Sequence, residues 1–194
     1  NRLVNLCNQY HFSTTTKINL RDNLNVLNKI RKNKVNGDFV ECGVWKGISL
    51  VFLQKYIEIY NLKNIKVYGF DTFEGIPEPT NNDVDIYGNL MKEKYASLKI
   101  DENISGWNLA KIDEVKSNFF KHTDINENLI LVKGKVEDTL LISENIPEKI
   151  SLLKLDTSLY EGTKIELEVL FPKVQKGGAV IVEGYLKFNG VKKN

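Results

Sequence analysis

The chain has 194 residues, of which 42% are hydrophobic and 27% are charged, so it is long enough to bury one sizeable core. Its formal net charge is only +2, which leaves no excess of basic residues of the kind that binds nucleic acid. No apolar stretch approaches the roughly 20 residues that a membrane span requires, and two cysteines are too few for a disulfide framework. We therefore expect a single cytoplasmic domain over residues 1–194, with neither nucleic acid nor a membrane as a partner.

Helices alternate with short apolar strands in the first part of the chain. An N-terminal helical segment is expected over residues 1–36, in which residues 20–34 carry apolar side chains at helical spacing. Asn19 is the candidate N-cap of that helix. The elements expected next are a buried strand over residues 39–42, an apolar helix over 48–60 and a second strand over 65–70.

An irregular insertion over residues 74–108 interrupts this alternation. It contains Pro77 and Pro79, and apart from a helical turn expected near residues 89–98 it sustains no period. A long irregular segment inside a compact domain is more often functional than decorative. We therefore expect the insertion to act as a lid over a ligand, with Trp107 behind it.

The alternation resumes in the second half of the chain. Apolar strands that alternate with helices predict a doubly wound α/β fold, whose mainly parallel sheet is covered by helices on both faces. The elements expected here are helices over residues 109–121, 139–144 and 160–171, strands over 129–133, 150–155 and 179–182, and a turn at Gly177-Gly178.

Acidic residues stand at or directly after the ends of four expected strands. They are Glu41, Asp71, Asp156 and Glu183. In open parallel sheets, ligands bind beyond the carboxyl ends of the strands, at the point where the strand order reverses. These four acids are therefore the candidate site residues, whereas His11 and His122 are assigned no role.

Two glycines follow the first expected strand. Gly43 allows the backbone to turn sharply, and Gly47 allows the next helix to begin close to a ligand without a side chain in the way. The N-terminus of that helix suits a carboxylate group, and Ser49 adds a hydroxyl donor. The Gly-x-Gly-x-x-Gly pattern is absent, which argues against a dinucleotide. The alternative is a tight strand-to-helix turn without a ligand.

The acids at the other strand ends each allow two interpretations. Asp71 suits the vicinal diol of a ribose, or it caps a following helix together with Glu74. Asp156 and Glu183 follow strands expected to be neighbours, so their carboxylates can converge on a cation such as Mg²⁺. Such a cation would lower the pKa of a coordinated substrate hydroxyl. The alternative is two solvated acids.

Five segments, in the right order, resemble the macrocin O-methyltransferase family, which methylates hydroxyls on sugars of glycosylated natural products. The most distinctive are Gly-Asp-Phe-Val-Glu-Cys-Gly-Val-Trp-Lys-Gly over residues 37–47 and Phe-Asp-Thr-Phe-Glu-Gly-Ile-Pro over residues 70–77. The others are residues 132–140, residues 153–156 with Tyr160-Glu161, and residues 177–183.

The resemblance implies a Rossmann-like class I methyltransferase fold and S-adenosylmethionine as the cofactor. It also implies Mg²⁺, held by acids at the positions of Asp156, Glu183 and Gly184. The cofactor-binding residues that it implies are Glu41, Gly43, Gly47 and Ser49 at the methionine end, Asp71 at the ribose, and Val136 and Glu137 near the adenine.

The sequence departs from the family at the metal motif and in length. The family's Asp-x-Asp reads Asp156-Thr157-Ser158, and its Asp-Asp reads Glu183-Gly184, so one expected ligand is missing and another is a methylene longer. Mg²⁺ demands tight octahedral geometry, and these changes weaken the case for it. The family fold also continues past the fifth strand with a helix and a C-terminal strand pair that this sequence lacks, which would leave the fifth strand as an unprotected sheet edge. We therefore expect either a C-terminally incomplete chain ending at Asn194 or another element that covers this edge.

The leading hypothesis is methyl transfer from S-adenosylmethionine to a hydroxyl of a sugar or a glycosylated small molecule. Asp156 is the expected catalytic residue, either as a metal ligand or as a base. The alternatives are a metal-independent methyltransferase that acts on another acceptor and a non-catalytic domain with a methyltransferase-like fold. The sequence leaves the oligomeric state open, including a homo-oligomer.

Overall fold

A five-stranded parallel sheet forms the centre of the fold, with the strand order β3-β2-β1-β4-β5. The computed structural model describes residues 3, 5, 17–102, 104–185 and 188–192, so the expectations for His11 and Asn194 lie outside the described residues. The strand order reverses at β1, which lies between β2 and β4. The strands are β1 (Asp38–Cys42), β2 (Val67–Asp71), β3 (Leu129–Lys133), β4 (Ile150–Leu155) and β5 (Val174–Val182).

Helices connect these strands and cover both faces of the sheet. In the described part of the chain they are α1 (Lys17–Lys32), α2 (Ile48–Ile59), α3 (Met91–Leu98), α4 (Ile112–His122), α5 (Val136–Thr139), α6 (Tyr160–Val169) and α7 (Asn189–Lys192). None of the helices in these ranges is long and apolar enough to cross a membrane. The prediction of a doubly wound, mainly parallel α/β fold is confirmed.

Two hydrophobic cores lie on opposite faces of the sheet. Because successive strand side chains point to opposite faces, Phe39 packs with residues of α1, α2 and α4, whereas its neighbour Val40 packs with residues of α5 and α6. The apolar helix α2 contributes much of the first core, since nine of its twelve residues are buried. This burial anchors the turn that joins β1 to α2.

Several predicted element bounds differ from the structure. Helix α1 begins at Lys17, so Asn19 lies inside it and is not its N-cap. The short helix after β3 covers Val136–Thr139 and not residues 139–144, because the chain becomes helical directly after Lys135, two residues past the end of β3. The last long helix ends at Val169, and a 3₁₀ turn (Phe171–Lys173) follows it, since Pro172 offers no amide hydrogen.

The predicted turn at Gly177-Gly178 is also wrong. Both glycines lie inside β5, where the pairing with β4 shifts from Ile150–Val174 to Leu152–Ala179. The extra residues of β5 form a bulge, and Gly177 takes a φ of 86° that a glycine adopts without strain.

The insertion is more ordered than its sequence indicates. Its expected helical turn is the two-turn helix α3, and antiparallel bridges join Val84 to Leu90 and Lys99 to Ser105. Its two ends meet, because the Ser105 amide donates to the Glu74 carbonyl oxygen at 2.9 Å. A third bridge, from Asp85 to Phe188, joins the insertion to the segment that contains α7.

Candidate functional site

A cavity of about 330 Å³ opens where the carboxyl ends of the strands meet the insertion. We call its strand-end side the floor, which contains Glu41, Asp71, Lys154, Asp156 and Glu183. We call the opposite side the insertion wall, which contains Ile76, Pro77, Lys94, Trp107 and Asn108. Of the residues predicted from the sequence, Glu41, Gly43, Ser49, Asp71, Val136, Glu137, Asp156 and Glu183 line the cavity, and Gly47 does not.

A buried ion pair lies at the centre of the floor. Glu41 and Lys154 are register partners on β1 and β4, so the sheet sets their side chains next to each other. The Lys154 ammonium donates to Glu41 Oε1 at 2.7 Å and lies 3.4 Å from Ser49 Oγ. The two side chains are only 6% and 2% exposed. Sequence reasoning missed Lys154, although a lysine within an apolar strand run was a signal that a counter-charge faces it.

The pair shifts the pKa of both of its members. Burial raises the pKa of Glu41, and the Lys154 ammonium only partly offsets that effect. Burial acts to lower the pKa of Lys154, but the carboxylates of Glu41 and Asp156 outweigh it and the pKa is raised. Lys154 therefore stays charged and compensates much of the negative charge of the floor.

The second carboxylate oxygen of Glu41 is left without a donor. Glu41 Oε2 is buried and has no hydrogen-bond partner among the described residues. Because buried carboxylate oxygens are nearly always satisfied, and because Glu41 lines the cavity, this oxygen can accept a hydrogen bond from a ligand. An ammonium group, such as that of a methionine moiety, fits this acceptor.

Asp71 organises the turns at the ends of two neighbouring strands. Its Oδ2 accepts from the backbone amides of Val44 and Trp45, at 2.7 Å and 3.0 Å, and its Oδ1 accepts from the amide of Phe73 at 2.8 Å. Burial raises its pKa, and these three amides oppose that shift. The Thr72 hydroxyl also lies 3.4 Å from Oδ1, but its single proton has a closer acceptor in the Gly75 carbonyl oxygen at 2.6 Å. Since each carboxylate oxygen accepts about two hydrogen bonds, Asp71 retains at most one acceptor position and cannot accept both hydroxyls of a ribose.

The alternative interpretation of Asp71 as a helix cap is wrong. No helix begins within residues 72–90, all of which the structure describes. Glu74, the expected second half of the cap, instead forms an ion pair with Lys133 at 2.8 Å.

Packing requires the two glycines that follow β1. A Cβ on Gly43 would lie 2.5 Å from the Asp156 carbonyl oxygen, and one on Gly47 would lie 2.9 Å from Val115 Cγ1. Both glycines also have φ values near +85°. The neighbour that Gly47 accommodates is α4, and Gly47 does not line the cavity, while its predicted approach to a ligand stays a prediction. Gly43 does line the cavity.

Asp156 and Glu183 follow neighbouring strands, as predicted. The Glu183 amide donates to the Leu155 carbonyl oxygen at 2.8 Å, which continues the ladder between β4 and β5. Asp156 is half-buried, and its Oδ2 lies 3.7 Å from the Lys154 ammonium. Burial raises the pKa of Asp156 to about 7, and the charges of Glu41 and Glu183 reinforce this shift while Lys154 opposes it.

The residues at this end of the floor do not fit the oxygen shell that Mg²⁺ needs. Asp156 and Glu183 are joined there by Ser158 and Gly184, which supply no further carboxylate. In the described ranges there is no group of three or more His, Cys, Asp or Glu residues that could hold a metal. The nearby Lys154 ammonium also repels a cation. The expected Mg²⁺ site is therefore not supported by the donor set.

The turn after β3 closes the floor next to Asp71. The Gly134 amide donates to the Asp71 carbonyl oxygen at 3.0 Å, and α5 then begins at Val136. Val136 is buried and Glu137 is half-buried, and both line the cavity. Their position beside the end of β2 agrees with the predicted place, while the contact with adenine stays a prediction.

A small separate core supports the insertion wall. Trp107 is 7% exposed and packs with Met91, Tyr95 and Leu159. The Lys94 ammonium lies 4.3 Å from the centroid of the Trp107 ring. The indole therefore holds a charged side chain at the edge of the cavity.

Asp83 fastens the insertion to the start of α6. It is 1% exposed, its Oδ1 accepts from the Tyr160 amide at 2.7 Å, and its Oδ2 accepts from the Thr80 amide and hydroxyl at 2.7 Å and 2.9 Å. The backbone amide of Asn189 donates to the Val84 carbonyl oxygen at 2.9 Å, so the segment that contains α7 is attached to the insertion directly beside Asp83. Sequence reasoning took this stretch only as part of an irregular insertion and assigned no role to Asp83.

Comparison with known proteins points to one family. The family described as Macrocin-O-methyltransferase (TylF) matches residues 9–194. The chain is 30% identical over 154 residues to the demethyldecarbamoylnovobiocin O-methyltransferase of Streptomyces niveus, covering 79% of this chain and 55% of that protein. It is 24% identical over 154 residues to the mycinamicin III 3''-O-methyltransferase of Micromonospora griseorubida, covering 79% and 57%. The chain thus spans about half the length of the curated relatives it matches.

Solved structures show the same architecture. The O-methyltransferase NovP superposes with a TM-score of 0.76 at 25% identity, over 93% of this chain and 72% of that one. The calicheamicin methyltransferase CalS11 superposes with a TM-score of 0.62 at 22% identity, over 99% and 79%. At that identity the second likeness shows the fold alone.

Proposed function

The chain belongs to the macrocin O-methyltransferase family, and on that premise we propose that it transfers a methyl group from S-adenosylmethionine to a hydroxyl of a sugar or a glycosylated small molecule. The observation that carries this proposal is the floor, where the buried Glu41–Lys154 pair leaves Glu41 Oε2 without a donor. Two of its relatives are named as O-methyltransferases of a novobiocin compound and of mycinamicin III. This similarity supports a glycosylated small molecule as the acceptor.

Donor binding is assigned to the β1 and β2 side of the cavity. Glu41 Oε2 accepts from the methionine ammonium, and Lys154 fixes the orientation of that carboxylate. Asp71 accepts one ribose hydroxyl with its remaining position and keeps the turn after β1 in place. Val136 and Glu137 flank the adenine. Gly43 and Ser49 complete the predicted methionine end, whereas Gly47 contributes through packing.

Asp156 is assigned the role of the general base. S-adenosylmethionine supplies a methyl group that is bonded to a positively charged sulfur. When the carbon–sulfur bond breaks, the sulfur keeps the electron pair and departs as part of S-adenosylhomocysteine. As the acceptor oxygen forms its bond to the methyl carbon, Asp156 takes the hydroxyl proton. A carboxylate with a pKa of about 7 is suited to this transfer near neutral pH. The donor set of the floor favours this metal-independent form of the reaction.

Calorimetric titration with S-adenosylhomocysteine tests the proposal. The wild type is expected to bind, and Glu41→Ala and Asp71→Asn are expected to weaken binding by at least about tenfold. Asp38→Asn is the matched control, because Asp38 also accepts a backbone amide, from Lys66 at 2.8 Å, but it lies at the far end of β1. A wild type that does not bind, or equal binding by all four proteins, would remove the assignment.

A chelator experiment tests the metal-independent form separately. Turnover is measured on a panel of glycosylated acceptors before and after treatment with EDTA, and we expect no change in rate. If EDTA lowered the rate and added Mg²⁺ restored it, the reaction would depend on the metal, and groups other than these floor residues would complete its ligand set.

A further inference from the structure

The charges of the cavity are divided between its two sides. The floor carries the acids Glu41, Asp71, Asp156 and Glu183, with Lys154 paired among them. The turn after β3 adds one residue of each charge to this side, Lys135 and Glu137, so carboxylates remain in excess there. The insertion wall carries a positive charge. Among the residues that define this wall, Lys94 is the ionisable one. A ligand that spans the cavity therefore meets carboxylates at one end and an ammonium at the other.

Three lysines line the cavity, namely Lys94, Lys135 and Lys154. Lys154 is paired with Glu41, whereas Lys94 and Lys135 form no ion pair among the described residues. Lys94 is the one of these two whose ammonium lies over an aromatic ring. Within the same part of the chain, the Lys94 ammonium is placed only by the Trp107 ring, at 4.3 Å. Its donors remain available to a ligand.

The Trp107 ring gives the Lys94 ammonium a defined position. Trp107 is held in a small core with Met91 and Leu159, and the Lys94 ammonium lies over its indole ring. Leu159 follows Asp156 by three residues, so the same core connects the insertion wall to the loop that carries the proposed base. An acceptor whose hydroxyl reaches Asp156 can therefore present another group to Lys94.

We propose that Lys94, positioned by Trp107, forms an acceptor subsite that recognises an anionic group, a carboxylate or a phosphate, carried by the sugar-containing acceptor. The inference rests on the proposed function, whose acceptor class it narrows. A charge-assisted hydrogen bond from an ammonium to such an oxygen is among the stronger polar contacts in proteins.

Two matched pairs of probes test the subsite. The carboxylate pair is p-nitrophenyl β-D-glucuronide and p-nitrophenyl β-D-glucoside, which differ only in the carboxylate. The phosphate pair is α-D-glucose 1-phosphate and methyl α-D-glucoside. Each probe is titrated calorimetrically into protein saturated with S-adenosylhomocysteine, for the wild type and for Lys94→Met, Lys94→Arg and Lys92→Met. Lys92 lies on the same helix but does not line the cavity, so its variant is the matched control.

The wild type is expected to bind the charged member of at least one pair about tenfold more tightly than the neutral member. Lys94→Met should reduce that preference to within about twofold, while Lys94→Arg and Lys92→Met keep it. The pair that shows the preference distinguishes a carboxylate from a phosphate. No preference in the wild type for either pair, or an undiminished preference in Lys94→Met, would overturn the subsite.

Binding of S-adenosylhomocysteine distinguishes the two proposals. Lys94→Met should bind it as tightly as the wild type, which also shows that the variant is folded. If the wild type does not bind it, the proposed function fails, and the probes are then titrated into the protein alone. A preference for charged probes that depends on Lys94 would support the subsite even then, and its absence would overturn it.

Discussion

The floor and the insertion wall face the same cavity but are held in place in different ways. Floor residues lie at the ends of strands that pair in one sheet, so Glu41 and Lys154 meet because β1 and β4 pair. The insertion wall depends on isolated bridges, a small core around Trp107 and the hydrogen bonds of Asp83. The floor can therefore keep buried charges in a defined geometry, whereas the wall can be changed without disturbing the sheet.

This difference predicts how the two sides respond to substitution. Changes in the floor should affect stability, donor binding and the proton transfer together, because one network serves all three. Changes in the insertion wall should affect the acceptor alone.

Removing the proposed base should have the largest effect. Asp156→Asn is expected to lower kcat by about 10²- to 10⁴-fold, since the amide cannot take the proton. In the wild type the ionised fraction of Asp156 rises with pH, so the rate should increase up to a pH of about 7 and then level off. Asp138→Asn, at an exposed acid of α5, is the control. A pH profile of the same shape in both variants would contradict the role of Asp156.

Breaking the buried ion pair should have the next largest effect. Lys154→Met leaves Glu41 buried without its counter-charge and should lower the free energy of unfolding by about 3–5 kcal/mol. Urea denaturation measures this loss. The double variant Glu41→Gln with Lys154→Met should recover most of it, but not the binding of S-adenosylhomocysteine.

Lys149→Met is the matched control for that experiment. Lys149 is exposed just before β4, so its loss should change the free energy of unfolding by no more than about 0.5 kcal/mol. If Lys154→Met destabilised the protein no more than this control, the floor would not depend on the pair.

Releasing the insertion should have a smaller and more selective effect. Asp83→Ala leaves the amides of Tyr160 and Thr80 without their acceptor and should cost about 1–3 kcal/mol. We expect faster amide hydrogen exchange over residues 80–91 and a raised KM for the acceptor, with unchanged binding of S-adenosylhomocysteine. Asp85→Ala is the control, because Asp85 also accepts amides in the insertion but is exposed, so water can replace it. Weaker donor binding in Asp83→Ala would show that the two sides are coupled.

The smallest effect is expected at a second buried carboxyl group. Both oxygens of Glu166 lack a hydrogen-bond partner among the described residues, and burial raises its pKa well above the usual 4.5. The folded protein therefore holds a proton that the unfolded chain releases, so this contribution to stability is present below pH 4.5 and is lost as the pH rises through the folded pKa.

Glu166→Gln removes this pH dependence. The amide has nearly the same volume, so the substitution should cost less than about 1.5 kcal/mol at low pH and become relatively stabilising as the pH rises. Thermal unfolding across pH measures the difference, with Glu168→Gln, at an exposed position of the same helix, as the control. A variant whose stability stays parallel to that of the wild type would show that Glu166 is ionised in the fold.

Periodicity predicted the strands and the placement of acids at their ends, because both depend on local burial and turn chemistry. Glu41, Asp156 and Glu183 were placed at one cavity in this way. The bulge at Gly177 was not predictable, since it depends on the register of β5 against β4.

The sequence by itself determined the fold class and the edge of the sheet at which the cavity lies, since the spacing of apolar residues and the polarity of strand ends are local properties. The tertiary structure alone decided which charges meet. Lys154 reaches Glu41 across 113 residues, and Asp83 reaches the Tyr160 amide across 77. Such pairs form because packing brings distant elements together, and their energy depends on the burial that results, which no local pattern records.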